Sequence, residues 1–214
     1  MKISRTVAVL LAVAVLVSTS GCVGVLTGQE PLTVSADPAA VEESVASNAG
    51  YASNGTRTVE VNRTFSVAGQ ERTVVAENKM TTYEKSLDLV VVEAKLGVFT
   101  VVSTPAVEVA GKTLNPIGDY SNARLVELVQ NRYSGLSDVR KVSSRTITVQ
   151  GTETEVTKFA GKANVQGRQV DVYVHVTKYR DGDDFVVAIG IYPQQLNGEQ
   201  QNVISMMRAI QHPA

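Results

Sequence analysis

The sequence predicts an α+β fold: a mostly antiparallel sheet with a C-terminal meander, covered by a few short helices. Three observations predict it. From Val139 to Tyr192, β-prone runs are punctuated by Gln150-Gly151, Gln166-Gly167 and Asp181-Gly182, dipeptides that favour hairpin turns. Val59, Val61, Phe65 and Val67 alternate with Thr58, Glu60, Asn62, Thr64 and Ser66, broken only by Arg63, which is the period of a half-buried strand. Apolar residues at helical spacing occur in only three short segments, near residues 38–49, 121–133 and 198–211.

The chain opens on a short basic stretch, Met1-Lys2-Ile3-Ser4-Arg5, and Val7 to Val17 then contains only Val, Ala and Leu. These are the proportions of a secretory signal peptide, and the apolar run is shorter than the roughly 20 residues a spanning helix needs. It closes in Ser18-Thr19-Ser20-Gly21-Cys22, which resembles a lipobox, with Thr19 where Leu is commoner. Residues 1–21 are therefore read as a signal peptide with a lipobox, and Cys22 as the lipidated residue. Cleavage nearby with Cys22 left as a thiol, or an uncleaved N-terminal anchor, are the alternatives. Lipidation accounts for a lone Cys in an exported chain, otherwise a reactive thiol without a partner. One acyl chain holds a membrane only marginally, so stable anchoring needs two chains or a second signal. Residues 22–36, with Gly24, Gly28 and Pro31 and no sustained period, read as a lipid-anchored tether, and 37–214 as a single α+β domain. The address is the cell membrane, on its extracytoplasmic face.

Asp37-Pro38 predicts the start of a helix, with Val41, Val45 and Ala49 on one face and Gly50 as its stop. Strand signals follow at 58–67, 72–76, 80–86, 87–92 and 98–103, with Ala68-Gly69 and Ala110-Gly111 as turns. A second helix fits Ser121 to Tyr133, capped by Asp119 or Ser121, facing inward with Leu125, Leu128 and Val129 and stopped by Gly135. In the meander, a two-residue turn at Asp181-Gly182 sets Val176, Val174 and Val172 opposite Val187, Ile189 and Ile191. The same geometry at Gln166-Gly167 sets Phe159 opposite Val174 and Lys162 opposite Asp171. A last helix fits Gly198 to Gln211, with Asn197 as cap, Val203, Met206, Met207 and Ile210 as its stripe, and Pro213 as its stop.

Composition narrows the function classes. With 20 basic and 21 acidic residues, no field collects nucleic acid, and one Cys with two His excludes a zinc cluster, an iron–sulfur site or a disulfide framework within one chain. G-x-S-x-G, the phosphate-binding P-loop, G-x-G-x-x-G and H-E-x-x-H are absent, and no cofactor is expected. His175 shares a strand face with Asp171, Tyr173 and Thr177, but Asp171 lies about 13 Å away at ~3.3 Å per residue, too far for a dyad. A histidine packed under a helix or facing solvent is the plainer reading. His212, beside Pro213, reads as a cation at a helix C-terminus. Asp181, Asp183 and Asp184 are weak metal candidates, since Asp-Gly is first of all turn chemistry and no Glu stands at calcium-loop distance. Glu42-Glu43 and Glu153 with Glu155 read as solvated faces. Asn54-Gly55-Thr56 and Asn62-Arg63-Thr64 match the glycosylation sequon, making Asn54 and Asn62 possible acceptors in an exported chain.

Several segments together carry a family resemblance: Ser20-Gly21-Cys22, Asn48-Ala49-Gly50-Tyr51, Val102-Ser103-Thr104-Pro105 with Asn115-Pro116, and Val170 to Val176 followed by Asp183 to Ala188 and Ile191-Tyr192-Pro193. In this combination the chain resembles the haloarchaeal lipoproteins of unknown function. The resemblance implies an archaeal envelope address and a domain shape, and no catalytic residues; the chain departs from that family's habit in its slight acidic excess. A fold-level likeness runs to photosystem accessory proteins of the PsbP type and to Mog1-like proteins, which end in a sheet hairpin and a final helix. The function expected is a lipid-anchored, non-enzymatic binding or accessory module of the cell envelope, its partner an envelope protein or a small ligand. The alternative is a hydrolase-like envelope enzyme using His175, with Tyr173 and Asp171.

Overall fold

Alternation at period two carries most of the chain into strands. The computed structural model describes residues 31–67, 70–89, 92–109, 112–132, 135–165 and 167–214. Strands β1 (Leu32–Ser35) and β2 (Ala40–Val41) precede helix α1 (Glu43–Asn48). Then come β3 (Ala52–Val67), β4 (Gln70–Leu89), β5 (Val92–Pro105), the short β6 (Glu108–Val109) and β7 (Lys112–Thr113), a 3-10 turn at Pro116–Asp119 and helix α2 (Asn122–Arg132). The meander β8 (Leu136–Val149), β9 (Thr152–Val165), β10 (Arg168–Asp181) and β11 (Asp184–Pro193) follows, then helix α3 (Glu199–Arg208) and β12 (Ile210–Gln211). The described residues divide into two units, one of residues 31–34 with Val61–Val75, the other of Ser35–Glu60 with Ala76–Ala214. In the first, the Thr64 and Thr73 hydroxyls bond across β3 and β4 at 3.1 Å.

The second unit holds the order β4-β5-β11-β10-β9-β8, with antiparallel pairing from each strand to the next. The expected four-stranded meander forms, and its last strand docks on β5, which places β10 and β11 in the middle of the sheet. Both faces of these strands are covered. On one, Val172, Val174, Val176, Val187 and Phe159 pack with Leu125 and Val126 of α2. On the other, Val186, Ala188, Tyr192, Phe99 and Val101 pack with Val203, Met206 and Met207 of α3 and Ala46 of α1. Gly190 allows this second layer its closeness: a Cβ there would lie 2.6 Å from Val203 Cγ1.

The β9–β10 register matches the expectation, with Phe159 opposite Val174 and Lys162 opposite Asp171, although Lys162 finds its carboxylate at Asp138, 3.7 Å away. The last hairpin is a correction. Asp181 pairs with Asp184, so Gly182-Asp183 forms the turn, and Val176, Val174 and Val172 face Ile189, Ile191 and Pro193. Gly182 at the first central position, φ +57°, is the preference of a type II′ turn, whereas the predicted Asp-Gly centre is type I′ chemistry. The slip is by two residues, so each valine keeps its face.

Other expectations shift at element ends. The helix expected from Asp37-Pro38 starts only at Glu43, because Ala40–Val41 instead pairs with β12, and Asp37 N–H is bound by Asp184 at 2.8 Å. Leu32–Ser35, read as tether, is a strand, and Ala36 is buried with its N–H on the Glu77 carbonyl. Ser121 does cap α2, accepting the Arg124 N–H at 3.2 Å, and the helix buries Leu125 and Val126 rather than Leu128. Helix α3 is capped by Gly198 at φ +82°, not by Asn197, and Ile210 belongs to β12. Cys22, residues 1–30, Ala68-Gly69, Ala110-Gly111, Tyr133 and Gln166 lie outside the described residues.

Lys178 explains how the 3-10 turn is held. Its ammonium donates to the carbonyls of Ile117, Gly118 and Tyr120 at 3.0, 2.6 and 2.8 Å, and burial pulls its pKa below the usual lysine range. Lys178→Met should leave those carbonyls without their donor and lower stability by about 2 kcal/mol in urea titrations, with the sheet intact.

Candidate functional site

Alternation along β10 puts Tyr173, His175 and Tyr179 on the face that α3 covers, opposite the valines. Across the strands His175 stands between Lys158 of β9 and Gly190 of β11. Because α3 closes over Gly190, His175 is only 1% exposed. Its Nε2 lies 3.0 Å from the Tyr192 hydroxyl and the two rings stack at 5.7 Å, while Nδ1 is buried without a partner. Burial foremost, then the charges of Lys158 and Arg145, push His175 down to about 4, so the imidazole is neutral at pH 7. Burial and the Glu199 charge push Tyr192 up. Tyr173 meets Tyr192 edge-on at 5.9 Å, and the Lys158 ammonium sits 3.5 Å from the Tyr173 ring centroid and donates to Gln200 Oε1 at 2.7 Å.

A cavity of about 10 Å³ remains beside the imidazole, lined by Ser143, Ser144, Arg145, Lys158, His175 and Gln200 together with the apolar Val156. Of the residues the sequence groups as a candidate site, Tyr173 and His175 are together and Asp171 is not: it is exposed at the far end of β10. Of the charged groups that do gather here, Lys158 is implied by the predicted β9–β10 register, which sets it opposite His175, whereas Arg145 escapes sequence reasoning because irregularities in β8 shift its register.

A second polar cluster lies under the start of α3. The buried Glu199 receives Lys85 Nζ at 2.6 Å and Asn202 Nδ2 at 3.1 Å, and Lys85 also donates to the Ala49 carbonyl at 3.0 Å. Burial, then the Glu199 charge, pushes the Tyr51 hydroxyl up. Tyr51 and Tyr83 line an open cleft of about 660 Å³ with Val41, Ala46 and Gly50. The Tyr83 hydroxyl holds the Val41 N–H at 2.8 Å. No sequence signal joins Lys85 to Glu199, which are 114 positions apart.

The acidic turn serves the C-terminus. Asp181 and Asp184 take His212 between them, Nδ1 at 2.9 Å and Nε2 at 3.0 Å, while Asp183 is exposed. His212 is therefore a buried bridge beyond β12, not a residue at the end of a helix. Among the described residues no three His, Cys, Asp or Glu side chains are placed to hold a metal ion. Asn54 and Asn62 are exposed on β3, and Glu42, Glu43, Glu153 and Glu155 face solvent.

Fold and site together define a sheet-dominated α+β domain whose histidines are spent inside the structure. Residues 38–211 match the family described as Domain of unknown function (DUF6517), and the chain belongs to that family. No curated protein matches it. Among solved structures, the chain is similar to cyanobacterial PsbP from Synechocystis sp. PCC 6803, at 10% identity and a TM-score of 0.44, over 83% of this chain and 93% of that one.

Proposed function

We propose that the chain is a non-enzymatic binding or accessory module of the cell envelope, held at the extracytoplasmic face of the membrane by lipid on Cys22. The observation that carries the non-enzymatic reading is the closure of His175. An enzyme needs its general base beside the reacting part of a substrate, and a histidine 1% exposed beside a cavity of about 10 Å³ has room next to it for one water-sized atom and not for a substrate skeleton. The other histidine is held by two carboxylates. The address rests on the apolar run ending in Ser20-Gly21-Cys22 and on the likeness to haloarchaeal lipoproteins. The partner is an envelope protein or a small ligand.

Replacing Cys22 with Ser tests the address. The unmodified chain should fractionate with membranes and carry the mass of the lipid, and the variant should lose both. Equal membrane retention with unchanged mass in the variant would refute it. Hydrolase screening of the wild-type chain tests the other half: turnover abolished by His175→Gln would restore the enzyme reading.

A further inference from the structure

The geometry points to a small oxyanion site, of the phosphate class, at the mouth of the cavity over His175. The site is a meeting of donors without an acid. Arg145 on β8 is exposed and has no carboxylate partner among the described residues, and Lys158 spends one of its three N–H donors on Gln200 Oε1. That bond turns the Gln200 amide so that its N–H₂ remains to donate elsewhere, and the Ser143 and Ser144 hydroxyls complete the rim. The acids on the neighbouring elements are engaged or remote. On β8, Asp138 pairs with Lys162; on β9, Glu155 accepts from Thr157, on the other face; at the start of α3, Glu199 takes Lys85; on β10, Asp171 stands opposite Lys162.

Two cations held together without a counter-charge repel, and an anion between them removes that cost. Guanidinium, ammonium, amide and hydroxyl donors are also the groups that bind phosphate oxygens. The second observation is the buried, unpartnered Nδ1 of His175. A cavity of about 10 Å³ has room for one water-sized atom, so it takes one oxygen of an anion whose other oxygens stay at the rim with Arg145 and the serines. An oxyanion at that position favours the protonated imidazole, the proton coming from solvent, so binding and protonation of His175 strengthen each other.

This inference rests on the binding-module reading and names its ligand class, but it does not depend on the lipid. The experiment titrates inorganic phosphate into the full, detergent-solubilised chain with ¹⁵N-labelled histidine, at constant ionic strength made up with chloride. The His175 ring resonances should shift saturably and their midpoint on the pH scale should rise with phosphate bound. Arg145→Gln, at an exposed position that leaves the core untouched, should weaken the effect about tenfold, and Lys158→Gln should do likewise. Displacement of phosphate by phosphatidic acid vesicles would assign the oxyanion to a lipid headgroup; no displacement would assign it to a free ion. A shift that never saturates, or one that Arg145→Gln leaves unchanged, would overturn the site. Failure of the Cys22→Ser test would leave this titration untouched, so the two can fail separately.

Discussion

Val174→Asp is expected to abolish the fold. Val174 is fully buried, opposite Phe159 on β9 and Ile191 on β11, on the face closed by Leu125 and Val126. The cation on that strand face, Lys178, is four residues away and held by three carbonyls, so a carboxylate at 174 has no partner and no route to water and loses its hydration or its charge at a cost of more than about 4 kcal/mol, a large part of a domain's whole stability. Circular dichroism should show no cooperative urea transition. Val174→Ala, which only leaves a cavity, should cost about 2 kcal/mol and keep the transition. A Val174→Asp chain with wild-type stability would mean that the valine face is not core.

Acid should weaken the protein through His175. Its native pKa near 4 lies below the ordinary 6.5 of the unfolded chain, so between these values the unfolded state binds more protons. Stability from this group is therefore intact above about pH 6.5 and falls as the pH drops, by about 2 kcal/mol at pH 5 and on the order of 3 kcal/mol once pH 4 is passed. Carboxylates titrate at the lower end, so the clean comparison is the difference between the wild-type chain and His175→Gln over pH 7 to 5 in phosphate-free buffer. The wild-type curve should be the steeper. Parallel curves would mean that His175 meets solvent or a counter-charge. Phosphate should flatten the wild-type slope if it occupies the cavity mouth.

Much of the fold was legible where local chemistry decides it. Hairpin dipeptides and period-two alternation located the meander, and the faces of Val172, Val174 and Val176 survive a two-residue register error because the error is even. What was not legible depends on long-range pairing. Nothing near Ala40–Val41 announces that β12 will take it as a strand, so the Asp37-Pro38 capping signal was outweighed. Gly198 caps α3 through a left-handed backbone, which leaves the better side-chain cap, Asn197, unused. Helix α2 on one side and helix α3 on the other bury both faces of β10 and turn an expected polar face into core.

The candidate site divides in the same way. His175 beside Tyr173 is readable from alternation, since two residues on one strand face are neighbours in any sheet. Its union with Lys158 and Arg145 requires β8, β9 and β10 in register, and the bulges of β8 between Ser137 and Ser143 decide which residues face α3. The carboxylates of Asp181 and Asp184 were legible as turn residues. Their hold on His212 was not, because it depends on where the chain goes after α3.

His175, the residue on which the enzyme reading depends, is closed inside the core as a neutral imidazole. Brief labelling of the native chain with diethyl pyrocarbonate at pH 7, followed by peptide mass spectrometry, tests it most directly. The His175 peptide should remain unmodified until urea unfolds the chain. Modification of His175 in the folded protein at the rate of a free imidazole would mean that the imidazole is open to solvent and that the non-enzymatic reading loses its support.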